Sequence, residues 1–283
     1  MKTGLVMEGG AMRGLFTIGI LDVFMEQGIV FDGGIGVSAG AAFGCNYKSK
    51  QPGRAIGYLT RFCNDKRFCS WESWWKTGDL YGVKFGYEEI TNIHAWFDRE
   101  TYKNNPMEFY VVATDVNTGK AVYKRLDNAD DNDITWLRAS ASVPLVSRVV
   151  ELEGYELLDG GIADSVPLKY FESLGFDRNV VILTQPLDFI KPKNKLLWLA
   201  RLMLRKYPKM VEAMAKRHFM YNETYAYIRE QELAGNILVI RPEAPLGIGG
   251  VEHNPDELRR VYALGRKAGE ENLERVKSFL KPL

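Results

Sequence analysis

The chain alternates short, uninterrupted apolar runs with longer segments in which apolar residues recur at helical spacing. Uninterrupted apolar runs are typical of strands buried on both faces of a parallel sheet. The pattern predicts strands at residues 4–7, 33–37, 109–114, 121–124, 180–183 and 237–240. It predicts helices at residues 13–27, 39–47, 54–64, 87–96, 135–142 and 255–280, and a hairpin of residues 148–152 and 155–158. This alternation predicts one doubly wound α/β domain.

Local signals sharpen some of these boundaries. Asn254 is followed by a proline and two acidic residues, which is typical of a capped helix start. Asp164 is predicted to cap a helix that enters through Val166 and Pro167. The aromatic-rich residues 69–75 are predicted to form a loop that lines an apolar pocket or packs under its neighbours.

Composition excludes several classes of protein. The 283 residues are 46% hydrophobic and 26% charged, as in an ordinary globular protein, and the net charge of +1 predicts no nucleic-acid partner. No apolar run is long enough for a membrane span or a signal-peptide core. Cys45, Cys63 and Cys69 are odd in number and contain no Cys-x-x-Cys pair. They predict free thiols in a reducing cytoplasm, without a zinc site or another cofactor.

Two glycine-framed stretches carry the candidate chemistry: Met7-Glu-Gly-Gly-Ala-Met-Arg-Gly14 and Gly36-Val-Ser-Ala-Gly40. The first could be a phosphate loop of a dinucleotide-binding fold. That fold requires an acidic residue at the end of the second strand, where this chain has Ser38. The second has the form of a nucleophile elbow, since Ser38 lies between a predicted strand and a predicted helix. The Ala39 N–H would then face a developing oxyanion. An ordinary strand-to-helix turn is the alternative.

A nucleophilic serine needs a base, and the three histidines are in poor settings for one. His94, His218 and His253 are each better explained as surface or packing residues. The α/β-hydrolase arrangement fits poorly, because only one βα unit precedes Ser38. The remaining candidate is Asp159, which ends a predicted strand and precedes Gly160 and Gly161. An Asx turn is its alternative role.

These motifs together resemble the patatin-like phospholipases, in particular bacterial members described as esterases. The resemblance covers roughly residues 4–170 and weakens beyond them, where Ile240-Arg-Pro-Glu-Ala-Pro245 is similar to an extension of the bacterial subgroup. Its five elements occur in the family's order. They are Glu8-Gly-Gly-Ala-Met-Arg-Gly14, Gly36-Val-Ser-Ala-Gly40, Ala113-Thr-Asp-Val-Asn-Thr-Gly119, Ala139-Ser-Ala-Ser-Val-Pro144 and Asp159-Gly-Gly161.

The resemblance implies a three-layer α/β/α fold with a mainly parallel central sheet. It implies a catalytic core at residues 1–170, with residues 171–283 completing the same domain and adding a C-terminal helical extension. It also implies a serine lipid acyl hydrolase with a Ser–Asp dyad, in which Ser38 is the nucleophile and Asp159 accepts its proton. Gly9, Gly10, Ala11 and Ala39 would form the oxyanion hole, supported by Arg13, Gly14, Gly36, Gly40, Gly160 and Gly161.

One residue departs from the family pattern. Ala11 stands where members often carry a third consecutive glycine, and alanine serves there unless the backbone needs a positive φ. Arg13 is expected to order this loop, to favour an anionic headgroup or to form an ordinary first-turn salt bridge.

The partner and the location are predicted from residues 189–209. This segment is basic and apolar, with Trp198 in its middle and no acidic residue. Its composition is that of an interfacial segment on anionic lipid or of a cap on the site, and a helix packed on the sheet is the alternative. The expected substrate is a phospholipid or another acyl ester, and the expected location is cytoplasmic, peripheral to the inner membrane face. A carboxylesterase or thioesterase and a catalytically silent lipid-binding relative are the competing functions.

Overall fold

A computed structural model describes residues 1–281, so the last two positions of the predicted 171–283 segment lie outside the described residues. Within residues 1–281 there are eight strands and ten α-helices. The strands are β1 (Lys2–Met7), β2 (Gly33–Val37), β3 (Glu108–Asp115), β4 (Ala121–Arg125), β5 (Val150–Leu152), β6 (Tyr155–Asp159), β7 (Phe176–Ile182) and β8 (Ile237–Ile240). The helices are α1 (Gly14–Glu26), α2 (Ala39–Lys48), α3 (Arg54–Phe62), α4 (Trp71–Thr77), α5 (Arg99–Asn104), α6 (Asp131–Ser140), α7 (Leu168–Ser173), α8 (Leu197–Met203), α9 (Pro208–Leu233) and α10 (Pro255–Leu280).

One mixed sheet forms the middle layer, and five adjacent strands of it are parallel, in the order β3-β2-β1-β7-β8. Alternate residues of these strands enter different cores. Leu5 and Met7 pack with α1, α2 and α10, whereas Val6 packs with α7 and α9. This period of two separates a helical layer on each face, as strand geometry requires. The predicted three-layer α/β/α fold with a mainly parallel sheet is confirmed.

Strand β3 brings two distant segments together. Strand β4 pairs with residues 110–114 of β3 and β2 with residues 108–112, so these two strands lie on opposite edges of β3. Strand β6 shares positions 113 and 114 with β4, and therefore lies on the β2 edge. Val37 pairs with Val112, and Asp159 pairs with Ala113. The end of β2 and the end of β6 thus meet at consecutive positions along one edge.

Several sequence predictions need correction. Residues 71–77 form helix α4 rather than a loop, because the Ser70 side chain accepts the Ser73 N–H and caps it. Residues 84–94 form a π-helix, where an ordinary helix at 87–96 was predicted. Asp164 does not cap α7, which begins four residues later, and its carboxylate accepts the Tyr123 hydroxyl at 2.8 Å.

Candidate active site

Ser38 lies in a strained turn between β2 and α2, with φ 55° and ψ −120°. The flanking glycines allow this turn by close backbone approach. A Cβ on Gly36 would lie 2.5 Å from the Gly40 carbonyl oxygen, and a Cβ on Gly40 would lie 2.5 Å from the Met7 carbonyl oxygen. The Ser38 N–H is held by the Ser140 hydroxyl at 2.9 Å. This backbone has the geometry expected of a nucleophile elbow.

Asp159 contacts Ser38 directly. The Ser38 hydroxyl donates to Asp159 Oδ2 at 2.6 Å, and both side chains are buried. The other carboxylate oxygen accepts the Gly161 N–H at 2.8 Å. The main chain of Asp159 is also held on both sides, since its N–H donates to the Ser142 carbonyl and its carbonyl accepts the Thr114 hydroxyl, each at 2.8 Å. The carboxylate therefore makes the Asx-type contact and the contact with serine at the same time, one through each oxygen.

Burial raises the pKa of the Asp159 carboxyl above the usual aspartate range. The Ser38 hydroxyl, the Arg217 charge and the Gly161 N–H act in the opposite direction. A carboxylate whose pKa is raised by desolvation is a stronger base than a solvated one. This environment suits proton transfer from a hydroxyl.

Arg217 is a neighbour of the Asp159 loop that sequence reasoning missed. It lies on α9, and its Nε donates to the Gly161 carbonyl at 2.5 Å. Its guanidinium also approaches Gly161 so closely that a Cβ there would lie 3.2 Å from Arg217. No local motif marks this arginine, because its position depends on how α9 packs on the sheet.

The loop after β1 lies against the elbow. A Cβ on Gly9 would be 3.1 Å from the Ser38 Cβ. Within residues 1–281, the N–H groups of Gly9 and Gly10 donate no hydrogen bond, and the Ala39 N–H opens α2, where it has no intrahelical acceptor. Ala11 adopts a φ of 48°, so this alanine does occupy a left-handed position, at a cost of about 1–2 kcal/mol.

Buried Glu8 anchors this loop from behind. Its carboxylate accepts the Thr184 N–H at 2.5 Å and the Tyr225 hydroxyl at 2.9 Å, and the Tyr221 hydroxyl also donates to it. Arg13 Nε lies 3.4 Å from the Thr184 hydroxyl. This contact favours a loop-ordering role for Arg13.

An apolar cavity begins at Ser38. Ser38, Ala39 and Ala11 lie in its wall, and the cavity continues between α2, α3, the π-helix and α6. Apolar side chains make up most of the remaining wall; among them are Phe43, Leu59, Phe68, Ile90, Phe97 and Leu137. The cavity can hold a hydrocarbon chain whose polar end reaches Ser38.

The three histidines pack or hydrogen-bond elsewhere in the structure. Within residues 1–281 none of them hydrogen-bonds to Ser38 or Asp159. His94 packs on Phe62 at 5.2 Å between ring centres, and His218 packs on Phe219 at 3.9 Å. His253 Nδ1 lies 2.6 Å from the Cys63 carbonyl oxygen.

Comparison with known protein families identifies the chain. Residues 5–172, which contain both Ser38 and Asp159, match the family described as patatin-like phospholipase. The chain belongs to the patatin-like phospholipase family. A second match, to a domain of unknown function (DUF6363), covers residues 207–281 and so includes all of α9 and α10.

Relatives of this patatin-like protein include the uncharacterized protein YjjU of Escherichia coli, 30% identical over 99% of this chain and 79% of that protein. The lysophospholipase nte1 of Aspergillus niger is 27% identical over 62% of this chain, which spans only 11% of the fungal protein. Among solved structures, VipD from Legionella pneumophila is similar over 97% of this chain and 67% of that chain, at 12% identity and a TM-score of 0.48. The family and its lysophospholipase members support a lipid hydrolase.

The two segments predicted to contact lipid or substrate differ in placement. Trp71 and Trp75 are 66% and 82% exposed, so they neither line the cavity nor pack beneath a loop. Residues 189–209 contain the short helix α8, which packs on the domain through Ala200 and Leu204. Its other side, which includes Trp198, is exposed. No helix within residues 1–281 is both long and apolar enough to cross a membrane.

Proposed function

We propose that this patatin-like protein is a serine lipid acyl hydrolase with a Ser38–Asp159 dyad. The observation that carries the proposal is the buried 2.6 Å contact between the two side chains at the start of an apolar cavity. In this proposal residues 1–170 supply the nucleophile and the base. Residues 171–283 complete the sheet with β7 and β8, and contribute Arg217 as a positioning residue for the Asp159 loop.

The proposed reaction has two steps, formation of an acyl ester on Ser38 and its hydrolysis. Ser38 Oγ attacks the ester carbonyl while Asp159 Oδ2 accepts the hydroxyl proton. The tetrahedral oxyanion is bound by the free N–H groups of Gly9, Gly10, Ala11 and Ala39, and loss of one such donor typically costs ~10²–10³ in rate. Collapse releases the alcohol, which takes the proton from Asp159, and leaves an acyl ester on Ser38. Asp159 then accepts a proton from water, which attacks this ester, and returns the proton to Ser38 Oγ as the fatty acid leaves.

The cavity favours hydrolysis of long-chain acyl esters over the competing functions. Its wall is apolar near Ser38, and burial of each methylene contributes about 0.8 kcal/mol. A thioesterase or a general carboxylesterase could use the same dyad. A silent lipid-binding relative is disfavoured, because both dyad residues are in place and in contact.

We expect the protein to release fatty acid from a long-chain lysophospholipid faster than from a short-chain nitrophenyl ester. A fluorophosphonate probe should label Ser38. The measurements are titration of released fatty acid and peptide mass spectrometry of the labelled protein. Turnover of acyl thioesters alone would assign a thioesterase. A folded protein with neither turnover nor labelling would assign a silent relative.

We also propose that residues 189–209 dock on anionic lipid. Exposed apolar side chains lie beside basic ones that make no salt bridge within residues 1–281. The apolar ones are Ile190, Leu196, Trp198, Leu202 and Met203, and the basic ones are Lys193, Lys195, Arg201 and Arg205. The anionic lipid of the cytoplasmic leaflet would contact both the apolar and the basic side chains. The three free thiols, all buried, support a cytoplasmic location.

A second exposed aromatic surface lies near this segment. The Trp74 indole donates to the Leu145 carbonyl at 3.2 Å, and the Leu145 side chain packs on the cluster that contains Ala200. Residues 142, 143 and 147 of the same loop line the cavity. The exposed tryptophans of α4 and α8 therefore flank the loop at the cavity wall, where a lipid surface would deliver substrate.

The double variant Arg201→Gln/Arg205→Gln is expected to lower binding to anionic vesicles by about 10- to 30-fold, since each basic residue near the surface contributes about 1 kcal/mol. Added salt should weaken wild-type binding in the same way. Vesicle co-sedimentation measures both effects. Leu233→Ala is the control, because Leu233 is 81% exposed at the far end of α9. Equal binding to neutral and anionic vesicles would contradict the proposal.

A further inference from the structure

Arg138 is an unpaired cation in the wall of the cavity. It lies on α6, two residues before Ser140, whose hydroxyl holds the Ser38 N–H. Within residues 1–281 its guanidinium makes no hydrogen bond and no salt bridge, and its Nε is buried without a partner. A buried donor without an acceptor costs about 1–3 kcal/mol. An arginine left in this state in the wall of the cavity that contains Ser38 points to an anionic ligand.

A polar groove adjoins the cavity at this arginine. Arg138, Asp79 and Val83 line both spaces, so the two are continuous. The rest of the groove wall consists of Lys76, Thr77, Arg148, Val149 and Val150.

Cations outnumber anions in this groove. The Arg148 side chain lies over Gly78, where a Cβ would come within 2.5 Å of its Nε, and it makes no salt bridge within residues 1–281. Lys76 is neutralised by Glu72 at 2.6 Å. Asp79 is the one carboxylate in the wall, and its Oδ1 accepts the main-chain N–H of Arg148 at 2.9 Å. Among residues 1–281 the groove wall therefore contains two guanidiniums without a salt-bridge partner and one carboxylate.

Tyr87 adds a neutral donor on the cavity side. It lines the cavity, and its hydroxyl has no hydrogen-bond partner within residues 1–281. Burial raises the pKa of Tyr87 to about 12, against the effect of the Arg138 charge, so the hydroxyl keeps its proton at neutral pH. Tyr87, Arg138 and Ser38 all line the same cavity.

We propose that Arg138 and Arg148 bind the phosphate of a phosphorylated glycerolipid while its acyl chain occupies the apolar cavity. This inference rests on the proposed hydrolase function and names its substrate class. The planar guanidinium suits phosphate because it can donate two parallel hydrogen bonds. The continuity of groove and cavity lets one molecule place its phosphate at Arg138 and its ester at Ser38.

The test compares lysophosphatidic acid with a monoacylglycerol of the same acyl chain, because the two differ only by the phosphate. The wild-type protein should have the higher kcat/KM for lysophosphatidic acid. Arg138→Gln and Arg148→Gln should each lower the ratio of the two kcat/KM values by about 10- to 100-fold, as loss of a charge-assisted hydrogen bond predicts. Arg259→Gln is the control, since Arg259 lies on α10 and pairs only with Asp256.

Three outcomes would overturn the inference. Equal losses on both substrates would make Arg138 structural. A ratio of the two kcat/KM values near one in the wild type would show that the groove does not bind the phosphate of the substrate. Absence of turnover on both substrates would refute the hydrolase function itself. Thermal unfolding with inorganic phosphate and glycerol 3-phosphate distinguishes the source of the anion. An anion-induced rise in the unfolding temperature that disappears in Arg138→Gln, combined with no preference between the two lipid substrates, would assign the groove to free phosphate instead.

Discussion

Replacement of Ser38 by alanine should abolish both fluorophosphonate labelling and hydrolysis of every ester substrate. The hydroxyl forms the covalent bond to the acyl group, and no other group can replace it at the strained turn. Loss of a nucleophile in a catalytic unit costs up to about 10⁶ in kcat, with a residual rate from the oxyanion donors. Initial rates of fatty acid release, together with in-gel detection of the probe, measure the effect.

The controls for this variant are an exposed serine and two histidines. Ser173 is exposed and its hydroxyl donates to the Tyr170 carbonyl, so Ser173→Ala should retain full activity. His218→Ala and His253→Ala should also retain activity, because neither ring contacts the dyad within residues 1–281. Turnover in Ser38→Ala close to the wild-type rate would contradict the assignment of the nucleophile. An inactive but folded histidine variant would restore a triad.

Asp159→Asn should lower kcat by about 10³–10⁴, nearly as much as loss of the serine. The amide can still accept the Ser38 hydrogen bond but cannot take its proton. In the wild type the ionised carboxylate is the active form, so kcat/KM should rise with pH through the Asp159 pKa. Burial places that pKa above the usual aspartate range. The asparagine variant should lose this rise, and a pH–rate profile of each protein checks it.

Thermal unfolding separates this effect from a folding defect. Because the folded-state pKa of Asp159 is raised, the ionised carboxylate destabilises the fold above that pKa, and neutral asparagine removes the cost. The midpoint of Asp159→Asn should therefore be no lower than that of the wild type. Asp164→Asn is the matched control, as Asp164 is close in sequence but contacts Tyr123. An active Asp159→Asn protein with an unchanged pH profile would place the base elsewhere.

Much of the fold could be predicted because the signals are local. Uninterrupted apolar runs gave strands β1, β2 and β8 at or near their observed bounds, whereas β7 begins at Phe176, four residues before the predicted start. The hairpin turn at Glu153 and Gly154 was predicted from the two residues between its strands, and both have positive φ. Asn254 caps α10 as predicted, through the Asp256 N–H at 2.9 Å. Each of these features depends on residues within one turn or one strand.

Predictions failed where packing overrides composition. The aromatic residues at 71–75 suggested a buried loop, but a Ser70 cap makes them helical and leaves Trp71 and Trp75 exposed. Residues 189–209 were compatible with either a packed helix or an interfacial segment. The structure packs Ala200 and exposes Trp198 of the same helix. Composition cannot distinguish these outcomes, because the same side chains suit both.

The sequence by itself determined the type of domain, the strained turn at Ser38 and the order of the family motifs, since each is written in adjacent residues. Only the tertiary structure decided the pairing of Ser38 with Asp159 across 121 positions, which depends on the register of β2 and β6 along β3. It also decided that Arg217 lies beside Asp159 and that Arg138 lies unpaired in the cavity wall. A side chain's neighbours across a sheet follow from strand register and helix packing, which no local pattern encodes.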